Sequence, residues 1–223
     1  ERARDLVAVL SGLDQSTHPR AEWIQLLLGQ AMLEQEDADV AQLIRSFAPG
    51  VAGISKPSEL LDYHRKFAER WKEQVLNPDK TSTSLDDAWK RIGEVTDRLE
   101  TDAEKNWAAS TLYYFTSNES GLNKVSEPDS TWVDAQMGSD SVVLRLGLLG
   151  LLYRTQGNEE PLPPPLKESL TSILDDTSLP FYLRYQASQD TVRAHYYKDL
   201  DSVINQAVLS LLEEYLESGY DLY

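Results

Sequence analysis

Three segments of this chain share one register, each 39 positions after the last. Val142-Val143-Leu144-Arg145 through Leu152-Tyr153-Arg154 lines up with Phe181-Tyr182-Leu183-Arg184 through Thr191-Val192-Arg193. Leu-Arg falls on Leu-Arg, and the final Arg falls on Arg. The same shift backwards sets Leu112, Tyr113 and Tyr114 under Leu151, Leu152 and Tyr153, and a further echo places Leu170 and Ile173 under Leu209 and Leu212. A period this long leaves room for two helices and a turn in each unit. Neighbouring units must then stack to bury their apolar faces.

The local pattern is helical throughout. Leu6, Val7, Val9, Leu10 and Leu13 form a stripe at helical spacing. Pro19 suits a first helical position, ahead of Trp23, Ile24, Leu27, Leu28 and Met32. A third helix is expected from Asp37 and a long one over 58–76. Ser84 to Asp87 and Thr101 to Glu104 read as capping boxes, in which a side-chain oxygen accepts a free backbone N–H. Residues 117–139 are weakly patterned, with one short turn around Trp132. Residues 140–154 form the most hydrophobic helix, and Gly147 and Gly150 within it predict a close helix neighbour. Pro161 to Pro165 lead into a helix with Leu166, Leu170, Ile173 and Leu174, and helices over 181–197 and 200–216 follow. About ten helices and no strand are predicted, so the class is all-α.

The register resembles HEAT or armadillo-like helical repeats, carried by Leu144-Arg145, Leu183-Arg184, Arg154 and Arg193 over about residues 103–216. The resemblance implies α-solenoid-like stacked helix pairs in the C-terminal half. An irregular helical bundle is the alternative. The chain reads as one helical domain over 1–223, divisible at about 101/102. Because it begins at Glu1 rather than Met, it reads as a fragment of a larger protein.

Charge narrows the partners. With 37 acidic and 21 basic residues the formal charge is −16. Phosphate binding needs clustered Lys and Arg, so nucleic acid and anionic membrane are unfavoured partners, and a basic protein surface is favoured. No apolar run reaches membrane-spanning length. There is no cysteine, which excludes disulfides and thiolate chemistry. An intracellular location is expected.

No catalytic set emerges from the motifs. His18, His64 and His195 are far apart, with no metal-ligand spacing among them. Gly50-Val51-Ala52-Gly53 lacks the Lys and Ser/Thr of a phosphate loop. Glu34, Glu36, Asp37 and Asp39 sit at a helix junction, where carboxylates favour the helix start. No metal and no cofactor is expected. Tyr and Arg, by contrast, are enriched at interface hot spots, and Tyr113, Tyr114, Tyr153, Arg184, Tyr185 and Arg193 are the candidate contacts. The leading expectation is a non-enzymatic protein-interaction module, a scaffold or adaptor. The alternatives are an acidic inhibitor of the immunity-protein kind that covers a basic enzyme, and a helical enzyme domain with an unrecognised site.

Overall fold

A computed structural model of the chain describes residues 21–35, 39–53, 57–76, 84–117, 130–155, 164–194 and 202–218. The helix expected over 3–13, the His18-Pro19 entry, residues 161–163, His195 with Tyr196 and Tyr197, and the acidic tail beyond 218 lie outside them. The described residues form ten α-helices and one 3₁₀ segment, with no strand among them. The helices are α1 (Ala21–Leu33), α2 (Val40–Phe47), α3 (Pro57–Val75), α4 (Leu85–Thr96) and α5 (Asp102–Ser117), then α6 (Ser130–Met137), α7 (Val142–Thr155), α8 (Pro164–Asp175), α9 (Phe181–Ala194) and α10 (Ser202–Ser218). The 3₁₀ segment, Ala48–Gly53, follows α2 directly. The expected all-α class is the observed one.

Side chains set the helix starts. Asp39 accepts the Gln42 N–H at 3.1 Å and so caps α2. This gives one carboxylate of the acidic junction its structural role. Ser84 Oγ accepts the Asp87 N–H at 3.1 Å, and its hydroxyl donates to the Asp87 carboxylate at 2.7 Å. Thr101 Oγ1 accepts the Glu104 N–H at 3.2 Å. The Glu104 carboxylate reaches one residue further back than a capping box does and accepts from Glu100 N–H at 2.8 Å. At the other end of α1, Arg70 Nη2 donates to the carbonyls of Leu33 and Gln35, each at 2.8 Å, supplying partners that the helix end leaves open.

Helix α5 is the axis of the molecule. It packs on α2, the 3₁₀ segment, α3, α7 and α9. Almost every residue from Glu104 to Thr116 is buried, so no single apolar stripe marks it. Two buried threonines of that run are paired. Thr111 Oγ1 accepts from Trp71 Nε1 at 3.1 Å and donates to the Trp107 carbonyl at 3.0 Å. Thr116 Oγ1 donates to the Tyr113 carbonyl at 3.1 Å. The α3 stripe that covers α5 is His64, Phe67, Ala68, Trp71 and Val75.

The closest partner of α5 is α7, and glycine sets the approach, as the sequence predicts. A Cβ on Gly150 would overlap Thr116 Oγ1 and sit 2.7 Å from the Tyr113 carbonyl oxygen. One on Gly147 would meet Leu112 Cδ2 at 2.6 Å. Helix α7 is itself buried at Val143, Leu146, Leu148, Leu149, Leu151 and Leu152.

The 39-residue register reappears in the helix boundaries. Helices α7 and α9 begin on its equivalent positions, Val142 and Phe181. Each is followed by a second helix, α8 and α10. In a linear stack each unit meets only its neighbours. Here α9 also touches α5, with Tyr182 lying edge-on to Trp107 at a centroid separation of 6.3 Å. Within 117–139, α6 is two turns of helix rather than a short turn. Trp132 fastens it: Nε1 donates to Asp86 at 2.7 Å, and the ring meets Trp89 edge-on at 5.3 Å. The buried apolar residues form one cluster from Ile24 to Leu211.

Candidate interaction surface

The predicted contact residues fall in two places. Tyr113 and Tyr114 lie on α5, and Arg184 and Tyr185 on α9. Tyr113 is buried under α7. Tyr114 is half-buried and stacks on His64, with centroids 5.8 Å apart. Tyr185 is half-buried and stacks on Phe181 at 5.8 Å. The backbones of Tyr153 and Arg193 belong to α7 and α9, and their side chains lie outside the described residues. Among the described four, Tyr113 and Arg184 are buried and Tyr114 and Tyr185 are half-buried.

Arg184 has a structural explanation. Its side chain is 5% exposed; its guanidinium pairs with the Glu214 carboxylate of α10 and donates to the Leu174 carbonyl of α8 at 3.4 Å. Arg184, in the second copy of the repeated Leu-Arg pair, thus ties α8, α9 and α10 together, because a desolvated cation must find acceptors within the fold. Asp176, in the turn between α8 and α9, has its carboxyl held below the ordinary value, first by the Ser178 hydroxyl and further by the fields of Arg145 and Arg184.

His64 is the one buried histidine described. It stacks on Trp107 at 4.9 Å, and its Nε2 lies 2.7 Å from Ser110 Oγ. Burial lowers its pKa to about 4, so the imidazole is neutral at physiological pH. Ser110 is fully buried as well. Among the described residues, His64 meets the packed rings of Trp107 and Tyr114. Desolvation likewise raises the Tyr182 phenol above its ordinary range.

A depression of about 250 Å³ lies where α3 meets α4, lined by Gln74, Arg91, Glu94, Val95 and Arg98. Three of its polar side chains serve the fold. Gln74 Oε1 accepts from Val40 N–H at 2.8 Å, Arg91 donates to the Val75 carbonyl at 3.0 Å, and Arg98 pairs with Asp39. Among the described residues no group of three or more His, Asp or Glu could hold a metal ion, and no helix is long and apolar enough to cross a membrane.

The feature that the candidate contacts miss is on α10. Leu209, Leu212 and Leu216 are exposed there, while Val208 and Leu211 are buried. A signal exists in the sequence, since Leu209, Leu212 and Leu216 recur at helical spacing. Burial cannot be read from that pattern, because either face would serve as a core face. No protein-family profile, no curated protein and no solved structure matches this chain.

Proposed function

We propose that this chain is a non-enzymatic protein-binding module that takes a basic partner onto its helical surface. The observation that carries the reading is an open apolar stripe on α10 beside exposed carboxylates, in a chain of formal charge −16. Apolar contact supplies affinity, and the charge steers basic partners in and repels acidic ones. The buried Arg184, His64 and Ser110 are engaged in packing and pairing, so the polar chemistry inside the fold supports scaffolding rather than turnover.

The charge also fits an inhibitor that covers a basic enzyme. In that case the captured partner has an activity that the chain abolishes at stoichiometric ratio. A scaffold leaves its partner active. The test is affinity capture on the immobilised chain, then rebinding of the purified partner at low and high salt. Binding is expected to weaken at least about tenfold between about 0.05 and 0.5 M salt. A partner held equally well at both salt concentrations, or no reproducible partner at all, would sink the reading.

A further inference from the structure

Helix α10 carries a broad apolar surface that is covered on one part and open on another. Val208 and Leu211 are buried, on a helix that packs on α8 and α9. With about 100° of turn per residue, Leu209, Leu212 and Leu216 fall within roughly 60° of one another, on a strip that adjoins the buried one where Leu212 neighbours Val208. Their exposures are 53%, 43% and 77%. Single exposed leucines are ordinary, but a run at i, i+3 and i+7 along one helix is a face that no other described residue covers.

The register indicates what shape of cover fits. Leu209 and Leu212 stand where α8 has Leu170 and Ile173, which are 6% and 1% exposed. A face that helix packing closes on α8 is open on α10. The neighbouring position changes character: the buried Leu174 of α8 corresponds to the exposed Glu213 of α10. Glu217 extends that acidic edge by one turn, and α10 has no Lys or Arg anywhere along its length.

We propose that this face of α10 docks an amphipathic helix of a partner protein. The partner's apolar stripe covers Leu209, Leu212 and Leu216, and Lys or Arg along its edge meets Glu213 and Glu217. A second copy of the chain is the wrong occupant on charge grounds. Apposing two α10 faces sets carboxylates against carboxylates on two chains of −16 each. The proposal deepens the protein-binding reading above and rests on it.

The test is fluorescence anisotropy with two labelled synthetic helices. Both carry Leu at i, i+3 and i+7; one is flanked by Lys and the other by Glu. The Lys helix is expected to bind at least about tenfold more tightly than the Glu helix. Leu212→Ser with Leu216→Ser is expected to weaken the Lys helix at least about tenfold, with circular dichroism and the urea midpoint unchanged because both side chains are exposed. Glu213→Lys with Glu217→Lys is expected to invert the preference. If the Lys helix binds the serine variant as well as the parent, the site lies elsewhere; this proposal fails while the module reading stands. If neither helix binds, the docking proposal fails too, and salt-sensitive capture of a whole partner then decides the module reading separately. A dimer in sedimentation equilibrium that Leu216→Ser abolishes assigns the face to a second copy and overturns the proposal.

Discussion

His64 shows how one side chain ties stability to pH. In the folded chain it is wedged against Trp107 and Tyr114 and bonded to Ser110, and burial lowers its pKa from 6.5 to about 4. The unfolded chain therefore takes up a proton as pH falls through 6.5, while the folded chain resists until about 4. The stabilising contribution is complete above pH 6.5, falls away between 6.5 and 4, and is flat below. The loss amounts to about 3 kcal/mol across the window. Urea unfolding of wild type and His64→Gln at pH 7 and pH 4.5 measures it: the wild type is expected to lose more stability than the variant. Equal losses in both would remove His64 as the cause. The sequence leaves His64 either solvated or packed, although it falls three and seven residues before Phe67 and Trp71 of the buried stripe. Its partner is not legible there, because Ser110 is 46 positions away.

Among the elements, the α5–α7 contact is the one whose chemistry is most clearly written in the chain. Gly147 and Gly150 stand out in a helix of leucines. A substituted side chain at 150 strikes backbone, whereas at 147 it strikes the movable end of Leu112. Gly150→Ala is expected to destabilise by about 2 kcal/mol, because overpacking outweighs the gain in helix propensity. The control is Gly93→Ala in α4, where nothing lies within 4 Å of the added carbon. There the same change is expected to stabilise by about 0.5 to 1 kcal/mol. Thermal unfolding of the two variants checks the opposite signs, and a Gly150→Ala protein as stable as the parent would refute the close approach. Helix α6 was hard to read for the opposite reason. It has eight residues, and Trp132 and Val133 alone give it little pattern; contacts to Asp86 and Trp89 hold it in place.

Across the whole molecule, protection from solvent should radiate from α5. This helix touches elements from both halves of the chain and is enclosed along most of its length. Opening it requires dismantling the contacts of α3 and α7 together. In native-state hydrogen exchange the slowest amides are expected within residues 106–116, exchanging through global unfolding, with those of α6 and α10 exchanging faster by local opening. Slower exchange in α10 than in α5 would contradict this order. The all-helical class, most helix positions, the caps at Ser84 and Thr101, the glycine approach and the net charge are legible in the residues alone. These follow from local periodicity, backbone sterics and counting, none of which needs to know what lies across the core. Tertiary structure alone decided which helix is central and which face of α10 stays open, and it turned Arg184 from a candidate contact into a buried tie to Glu214. Burial is a property of neighbours, and the 39-residue register places chemically alike residues, Leu170 and Leu209, in one covered and one open environment.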